Sequence, residues 1–371
     1  MKVEKILAII VVTTAVAGGY LYLSADKNSP QVCLAEGKCE GKKSTVIKIT
    51  STDEIKSAED KKKAYDPSPE IISPHGYLNT NDKPITIREH VGKKVVLVDF
   101  WTYSCINCQR TLPYLNAWYE KYKDEGLEII GIHTPEFAFE KLEKNVAKAI
   151  SEFGVKHPVV LDNDYATWNA FGNQYWPRKY LIDIDGFIVY DHIGEGAYEE
   201  TEKEIQKALL ERKERLNEKM NVTTTIANPE NKILVDTNKL GSQETYFGST
   251  RNEYLANGKI GVAGEQTLII PQKLKTNGLY LGGTWNITSE YAENKGEASI
   301  VYKYKAKSVY LVLSSENGIE IEVFLDGKST KTLKVSEEKL YNIVEGSEYE
   351  EHLLEIKIKK GNLKAFAFTF G

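Results

Sequence analysis

Two cysteines three positions apart, Cys105 and Cys108, stand where a hydrophobic run gives way to a helical pattern. Ahead of them, residues 95–100 are β-branched, aliphatic and aromatic, interrupted only by Asp99, as in a strand buried on both faces. Behind them Leu112, Leu115, Trp118, Tyr119 and Tyr122 recur at helical spacing. Ser104 is a candidate N-cap for that helix. Amides and the macrodipole at a helix N-terminus favour a thiolate at Cys105. Cys108 is then placed to close a disulfide once Cys105 has attacked a substrate. Cys-x-x-Cys at a strand-to-helix junction in a βαβ pattern reads as a redox motif. The other readings are half of a zinc site or a structural disulfide. Zinc needs further ligands, and no second Cys-x-x-Cys or His-x-x-x-His follows. His133 and His157 each stand alone at a strand edge and are read as structural. Neither a metal nor a cofactor is expected.

The elements that must position this junction follow from the pattern around it. Residues 85–87 and 95–100 flank a turn at Gly92, and residues 127–132 form a second central strand, which the intervening helix joins by a right-handed crossover. Residues 136–153 read as an inserted helix, with Phe139, Leu142, Val146 and Ile150 on one face. Strand patterns at 180–184 and 187–190 flank Asp185-Gly186, a hairpin signal, and a helix over 198–219 closes the unit. Residues 218–230 are polar and read as a linker. Beyond them, alternating runs separated by Gly, Asn and Ser turns, with almost no helix, argue for a β-sandwich.

The expected organisation is therefore an α/β domain over residues 74–220 and a β-sandwich over 231–371, preceded by a tail. Lys2 and Lys5 stand before an apolar run over residues 6–23, close to the minimum for a membrane span. Residues 1–24 are read as an uncleaved anchor in preference to a cleaved signal. The basic end stays cytoplasmic, which places the rest in the periplasm or at the cell exterior. Residues 25–73 are polar, without periodicity, and read as a tether. Cys33 and Cys39 within it read as a small-loop disulfide, with a second exchange pair as the rival. A net charge of -5 argues against a general nucleic-acid binder.

Residues 98–101, Val-Asp-Phe-Trp, followed by Cys-x-x-Cys resemble thioredoxin, and Pro113 stands eight positions after Cys105, where thioredoxins carry a helix-kinking proline. The fuller run 100–108, Phe-Trp-Thr-Tyr-Ser-Cys-Ile-Asn-Cys, and 133–137, His-Thr-Pro-Glu-Phe, resemble the extracytoplasmic part of DipZ-type thiol–disulfide proteins, close to the TlpA-like redoxins. That likeness runs from about Tyr77 to the closing Phe368-Thr369-Phe370-Gly371. It implies a thioredoxin-like fold with an inserted helix, then a jelly-roll, carbohydrate-binding-module-like sandwich. It implies that Asp99 is the buried acid of thioredoxin. A carboxylate in a buried strand titrates high and can take the Cys108 proton. It implies that Trp176-Pro177 is the cis-proline loop, with Pro177 exposing backbone groups to substrate and Trp176 flanking the thiols. The motif interior, Ile106-Asn107, replaces the Gly-Pro of thioredoxin. DipZ-type proteins carry an electron-conducting membrane domain ahead of this part, so electrons here are expected from a separate, CcdA-like membrane donor.

The leading expectation is a membrane-tethered thiol–disulfide oxidoreductase that reduces extracytoplasmic protein disulfides through Cys105 and Cys108. Two alternatives stand beside it. Thr102-x-x-Cys105 matches part of a peroxiredoxin motif, with Arg110 nearby to polarise a peroxide, although Val98 stands where that motif has proline. Arg110 itself reads as an exposed, solvated helix residue. The third reading is a cell-surface carbohydrate binder, with Tyr246, Phe247, Tyr254, Tyr280 and Trp285 as candidate stacking residues, each of which also reads as sandwich core. The tail is expected to fold on its own and to add no group to the exchange step.

Overall fold

The computed structural model describes residues 58–371 apart from Asp82 and Met220. The N-terminal apolar run, Cys33, Cys39 and most of the expected tether lie outside the described residues. The first part of the fold holds α1 (Ala58–Ala64), β1 (Gly76–Leu78), β2 (Val95–Trp101), α2 (Ile106–Tyr122), β3 (Leu127–His133), α3 (Glu143–Glu152), β4 (Val159–Leu161), α4 (Ala166–Ala170), β5 (Arg178–Ile182), β6 (Ile188–Ile193) and α5 (Tyr198–Leu216). Its sheet has the order β1-β4-β3-β2-β5-β6. β2, β3 and β4 run parallel, while β1, β5 and β6 are antiparallel to their neighbours.

Every residue of β2 and β3 is buried, because the sheet is covered on both faces. Alternation along β2 divides the core. Val96, Val98 and Phe100 face Trp168, Phe171 and Tyr180. Val95, Leu97 and Trp101 face the apolar side of α2 and α5. Asp99 shares the parity of the second set, so its carboxyl is aimed under the helix that carries the cysteines. The Asp185-Gly186 turn joins β5 to β6, with Gly186 at φ 88°, where a side chain would be strained.

Three differences from the sequence reading have physical causes. The described fold includes α1, which lies inside the expected tether. Lys61 of α1 is buried, and its ammonium is paired with Asp183 (2.5 Å), Asp185 (2.8 Å) and Glu211. Charge pairing rather than an apolar face holds this helix, so no hydrophobic period announces it. The expected inserted helix over 136–153 is a 3-10 turn at Ala138–Lys141 and then α3, with Leu142 extended between them. The linker over 218–230 is pinned along α2 and α5: Thr223 is bonded to Glu125, and the Ala227 amide donates to Glu202 at 2.8 Å.

The rest of the chain is all β: β7 (Thr245–Tyr246), β8 (Gly264–Leu268), β9 (Leu279–Ile287), β10 (Ala292–Ser314), β11 (Ile319–Leu325), β12 (Lys328–Val335), β13 (Lys339–Ile358) and β14 (Lys364–Phe370). The sequence pattern suggests only short strands, but β10 and β13 span 23 and 20 residues. Register shifts near Ala306 and Val309 bend this pair. Ala365 of β14 pairs with Ala292 at one end of β10 and with Leu313 at the other, so the sheet folds back around one core.

That core is not closed off from the first. Val312, Phe366 and Ala367 of the tail pack into the cluster formed by α2, α5 and β2. Phe366 meets Phe137 and Phe139 at centroid distances of 5.1 and 4.9 Å. The sequence boundary suggests two independent cores; the structure has an apolar seam joining them.

Candidate active site

Cys105 is the N-cap of α2, and its sulfur accepts the Cys108 backbone N–H at 3.4 Å. Extended backbone at Cys105 (φ −78°, ψ 119°) lets the side chain fold back over the first turn. The cap is thus Cys105 itself, one residue later than the Ser104 of the sequence reading. Both cysteines are free thiols, Cys105 half-buried and Cys108 buried. Burial, and then the adjacent Cys105 sulfur, push the Cys108 thiol well above its ordinary range. One sulfur is therefore reachable and the other is held protonated beneath it.

Asp99 is buried near enough to Cys108 for its charge to raise that thiol, and burial pushes the Asp99 carboxyl up to about 7. Its Oδ1 has no hydrogen-bond partner. Lys179 opposes the shift: it lies across from Asp99 in the β2–β5 register and is itself fully buried. Burial lowers the Lys179 ammonium, while Asp99, Cys108 and Glu195 act to raise it. Its Nζ donates to the Gly194 carbonyl at 3.2 Å. Lys179 escapes sequence reasoning because only the antiparallel register brings it opposite Asp99; within its own strand it reads as an outward lysine.

The loop ahead of Cys105 is held by a buried carboxylate that the sequence reading also missed. Glu140 accepts the Ser104 hydroxyl at 2.6 Å and the Ser104 amide at 3.2 Å. Its other oxygen accepts the amides of Glu136 (2.6 Å) and Phe137 (2.9 Å). The run after β3 thereby grips the thiol loop, and burial raises the Glu140 carboxyl. His133 supports the same loop. Its Nε2 accepts the Tyr103 amide at 3.4 Å, and its ring lies nearly parallel to Tyr103. Burial pushes this imidazole down to about 3, so it is neutral. Tyr119 lies edge-on to His157, whose Nδ1 faces the Pro158 carbonyl at 3.2 Å.

The Trp176–Pro177 peptide is cis. Trp176 donates from its indole to the Thr134 carbonyl at 3.1 Å and packs on Trp168 at 4.3 Å. It borders both core clusters of the first domain, and Cys105 borders one of them. The structure thus gathers Cys105, Cys108 and Asp99 at one junction, with the Trp176-Pro177 loop at the margin of the same core.

Arg110 departs from its sequence reading. It is buried, not solvated. Its guanidinium is paired with Glu195 at 3.1 Å and lies 5.5 Å from the Tyr310 ring centroid. Gly371 is packed so closely against it that a Cβ there would collide with Nη2. The tail grips the other side of the site too. Glu136 accepts from Tyr246 (2.8 Å) and Arg251 (2.7 Å), and the Tyr103 hydroxyl donates to the Glu338 carbonyl at 3.1 Å. Among the described residues, no tail side chain is hydrogen-bonded to either cysteine. Of the five aromatics considered for sugar stacking, Phe247, Tyr280 and Trp285 are core residues. Tyr246 lies under Arg251, 3.6 Å from the guanidinium carbon, so it presents no open face there.

Known proteins resemble both parts of this chain. Residues 62–209 match the family model described as Redoxin, and residues 242–371 match "Thioredoxin like C-terminal domain". Protein DipZ of Mycobacterium tuberculosis is 38% identical over 82% of this chain and 43% of its own length. Thiol-disulfide oxidoreductase ResA of Bacillus thuringiensis is 34% identical over 34% of this chain and 69% of its own. This chain belongs to the redoxin family of thioredoxin-fold thiol–disulfide oxidoreductases. It spans less than half the length of the DipZ protein it matches. A solved structure titled as a thioredoxin-like protein in the oxidized form is 28% identical, covering 40% of this chain and 98% of that one, with a TM-score of 0.37. The redoxin match begins at residue 62, inside the expected tether, where the structure has α1.

Proposed function

We propose that this protein is an exported, membrane-tethered thiol–disulfide oxidoreductase that reduces protein disulfides outside the cytoplasm. The observation that carries the reading is the asymmetric pair: Cys105 at the N-cap of α2, and Cys108 buried near a carboxyl that titrates near 7. The Cys105 thiolate attacks one sulfur of a substrate disulfide. A mixed disulfide forms, and the other substrate sulfur leaves as a thiolate. Cys108 gives its proton to Asp99 and attacks the Cys105 sulfur. The second substrate thiolate leaves, and the Cys105–Cys108 disulfide remains. The substrate gains two electrons and the protein loses them.

Export and tethering rest on the basic, then apolar, N-terminal sequence, and electrons would return from a separate CcdA-like membrane donor. Among the described residues no helix is long and apolar enough to cross a membrane. The peroxidase alternative needs Arg110 beside Cys105; that guanidinium is instead engaged by Glu195 and covered by Tyr310 and Gly371. The carbohydrate reading loses three of its five aromatics to the core.

The test is the reduction potential of the Cys105–Cys108 couple, with insulin reduction as the activity. A potential near that of thioredoxin, about −270 mV, fits a reductant; one near that of DsbA, about −120 mV, overturns the direction. Cys105→Ser must abolish insulin reduction.

A further inference from the structure

A cleft of about 510 Å³ opens where the thiol loop, α3 and the tail meet. That is within the range of about 300–1,000 Å³ typical of binding pockets. Tyr103 and Gln109 form its wall nearest the thiols. Gln109 stands one helical turn past Cys105 on the same face of α2, and its amide donates to the Tyr103 carbonyl at 2.8 Å. Opposite lie two stretches of the tail, residues 314–316 and 336–340. Three links hold these walls at a fixed spacing. The Tyr103 hydroxyl donates to the Glu338 carbonyl (3.1 Å), Asn145 donates to the Glu338 carboxylate (3.0 Å), and Lys148 pairs with Glu337 (2.6 Å).

The lining chemistry limits the occupant. Three of its carboxylates are paired inside the cleft or at its rim, Glu337 with Lys148 and Lys339, Glu152 with Lys148, and Glu316 with Lys364, while Glu338 takes the Asn145 amide. Four carboxylates against three lysines, Lys364 of the rim included, leave no strong single-sign field to hold an ion. What is offered is amide and hydroxyl groups over the rings of Tyr103 and Phe153. Such a trough suits peptide groups and neutral side chains, and it starts one turn from the reachable sulfur.

We propose that this cleft seats the polypeptide segment adjoining the substrate's cysteine, so that the tail selects protein disulfides over small ones. The proposal rests on the oxidoreductase reading and deepens it. A small disulfide needs only Cys105, Cys108 and Asp99. A polypeptide disulfide brings flanking chain with it, and the cleft gives that chain a place.

Two measurements on the full chain test it. Ser336 is exposed on the tail wall, and Ser336→Trp fills the cleft from that side. The ratio of the insulin-reduction rate to the rate of thiol reaction with dithiobis(nitrobenzoate) is expected to fall about tenfold, the weight of roughly 1.4 kcal/mol of lost binding. An unchanged ratio overturns the proposal. In the second measurement a benzophenone amino acid replaces Ser336 in a Cys108→Ser background, and insulin is trapped as the mixed disulfide on Cys105. Illumination is expected to cross-link insulin at position 336 and not at the same probe placed at Lys259, which is exposed in the run before β8 and outside the cleft. Equal labelling at both positions, or none, overturns the proposal. If no mixed disulfide forms at all, the oxidoreductase reading falls and this one with it; if it forms without cross-linking, only the cleft is at fault.

Discussion

Asp99→Asn should make this protein more stable at alkaline pH while slowing its chemistry. Burial moves the carboxyl from its ordinary 3.8 to about 7, with the charge of Lys179 working the other way. The sign follows from linkage. Below about pH 4 the group is protonated in both folded and unfolded chains and costs nothing. As pH rises towards 7 the unfolded chain releases its proton while the folded one keeps it, so stability is lost across that window. At about 1.4 kcal/mol per pH unit, the loss amounts to about 4 kcal/mol above pH 7. Asparagine keeps the shape and abolishes the titration. The effect of the substitution at pH 8 should therefore exceed its effect at pH 4 by on the order of 4 kcal/mol. Comparing two pH values cancels constant contributions, such as altered packing. The substitution also removes one of the charges that act on the Lys179 ammonium, Glu195 remaining as another. The attraction between Lys179 and the ionised carboxyl is already contained in the displaced value of about 7, so the pH difference is not reduced further by its loss.

Urea unfolding of the reduced protein and the variant, at pH 4 and pH 8, measures the difference directly. The same variant should reduce insulin more slowly, with the inflection near pH 7 absent from the rate profile, because Cys108 loses its proton acceptor. An equal stability change at the two pH values would show that Asp99 is not a displaced carboxyl, and the proton-transfer role would go with it.

Two further outcomes are expected. Iodoacetamide should label Cys105 and spare Cys108 in the native reduced protein, as read by mass spectrometry of the digested chain; preferential labelling of Cys108 would reverse the roles. Phe366→Ala removes the ring that packs on Phe137 and Phe139, so unfolding stability should fall by about 3–5 kcal/mol, and near-ultraviolet dichroism from both domains should be lost in one transition. Two separate transitions in the unaltered protein would mean that the seam does not couple the domains.

What is legible in the sequence is what local pattern controls. The buried strand, the helix that follows it and the cysteines at their junction lie within one short run, so their relative placement is set by covalent connection. Asp99 is readable because a lone carboxylate in a continuous apolar run has nowhere to go but inside. The Asp185-Gly186 turn is readable because a glycine there relieves a left-handed backbone. Residues whose role depends on register or on distant burial are not readable. Lys179 opposes Asp99 only because β5 pairs antiparallel with β2. Glu140 reaches Ser104 only because the run after β3 turns as a 3-10 helix and then bends at Leu142. Arg110 reads as solvated because what covers it comes from the end of the chain.

The same dependence bears on the expectation that the tail stands apart from the chemistry. The placement of Cys105 is set by the loop over residues 102–104, and that loop has few ties of its own. Glu140 holds Ser104, His133 holds the Tyr103 amide, and the Tyr103 hydroxyl is bonded to the tail at Glu338. Glu140 in turn binds the amides of Glu136 and Phe137, whose side chains meet Arg251 and Phe366 of the tail. On the far side of α2, the buried Arg110 keeps its ion pair with Glu195 under the cover of Tyr310 and Gly371. Removing the tail would expose Phe137 and Phe139 to water and release Tyr103 from its far anchor. It would also hydrate a pair that now lies in a low-dielectric setting, where its attraction is strongest. The loop that carries Cys105 would lose supports on both sides at once. Among the described residues the tail hydrogen-bonds to neither cysteine, yet it is one of the supports that fix where the Cys105 sulfur stands.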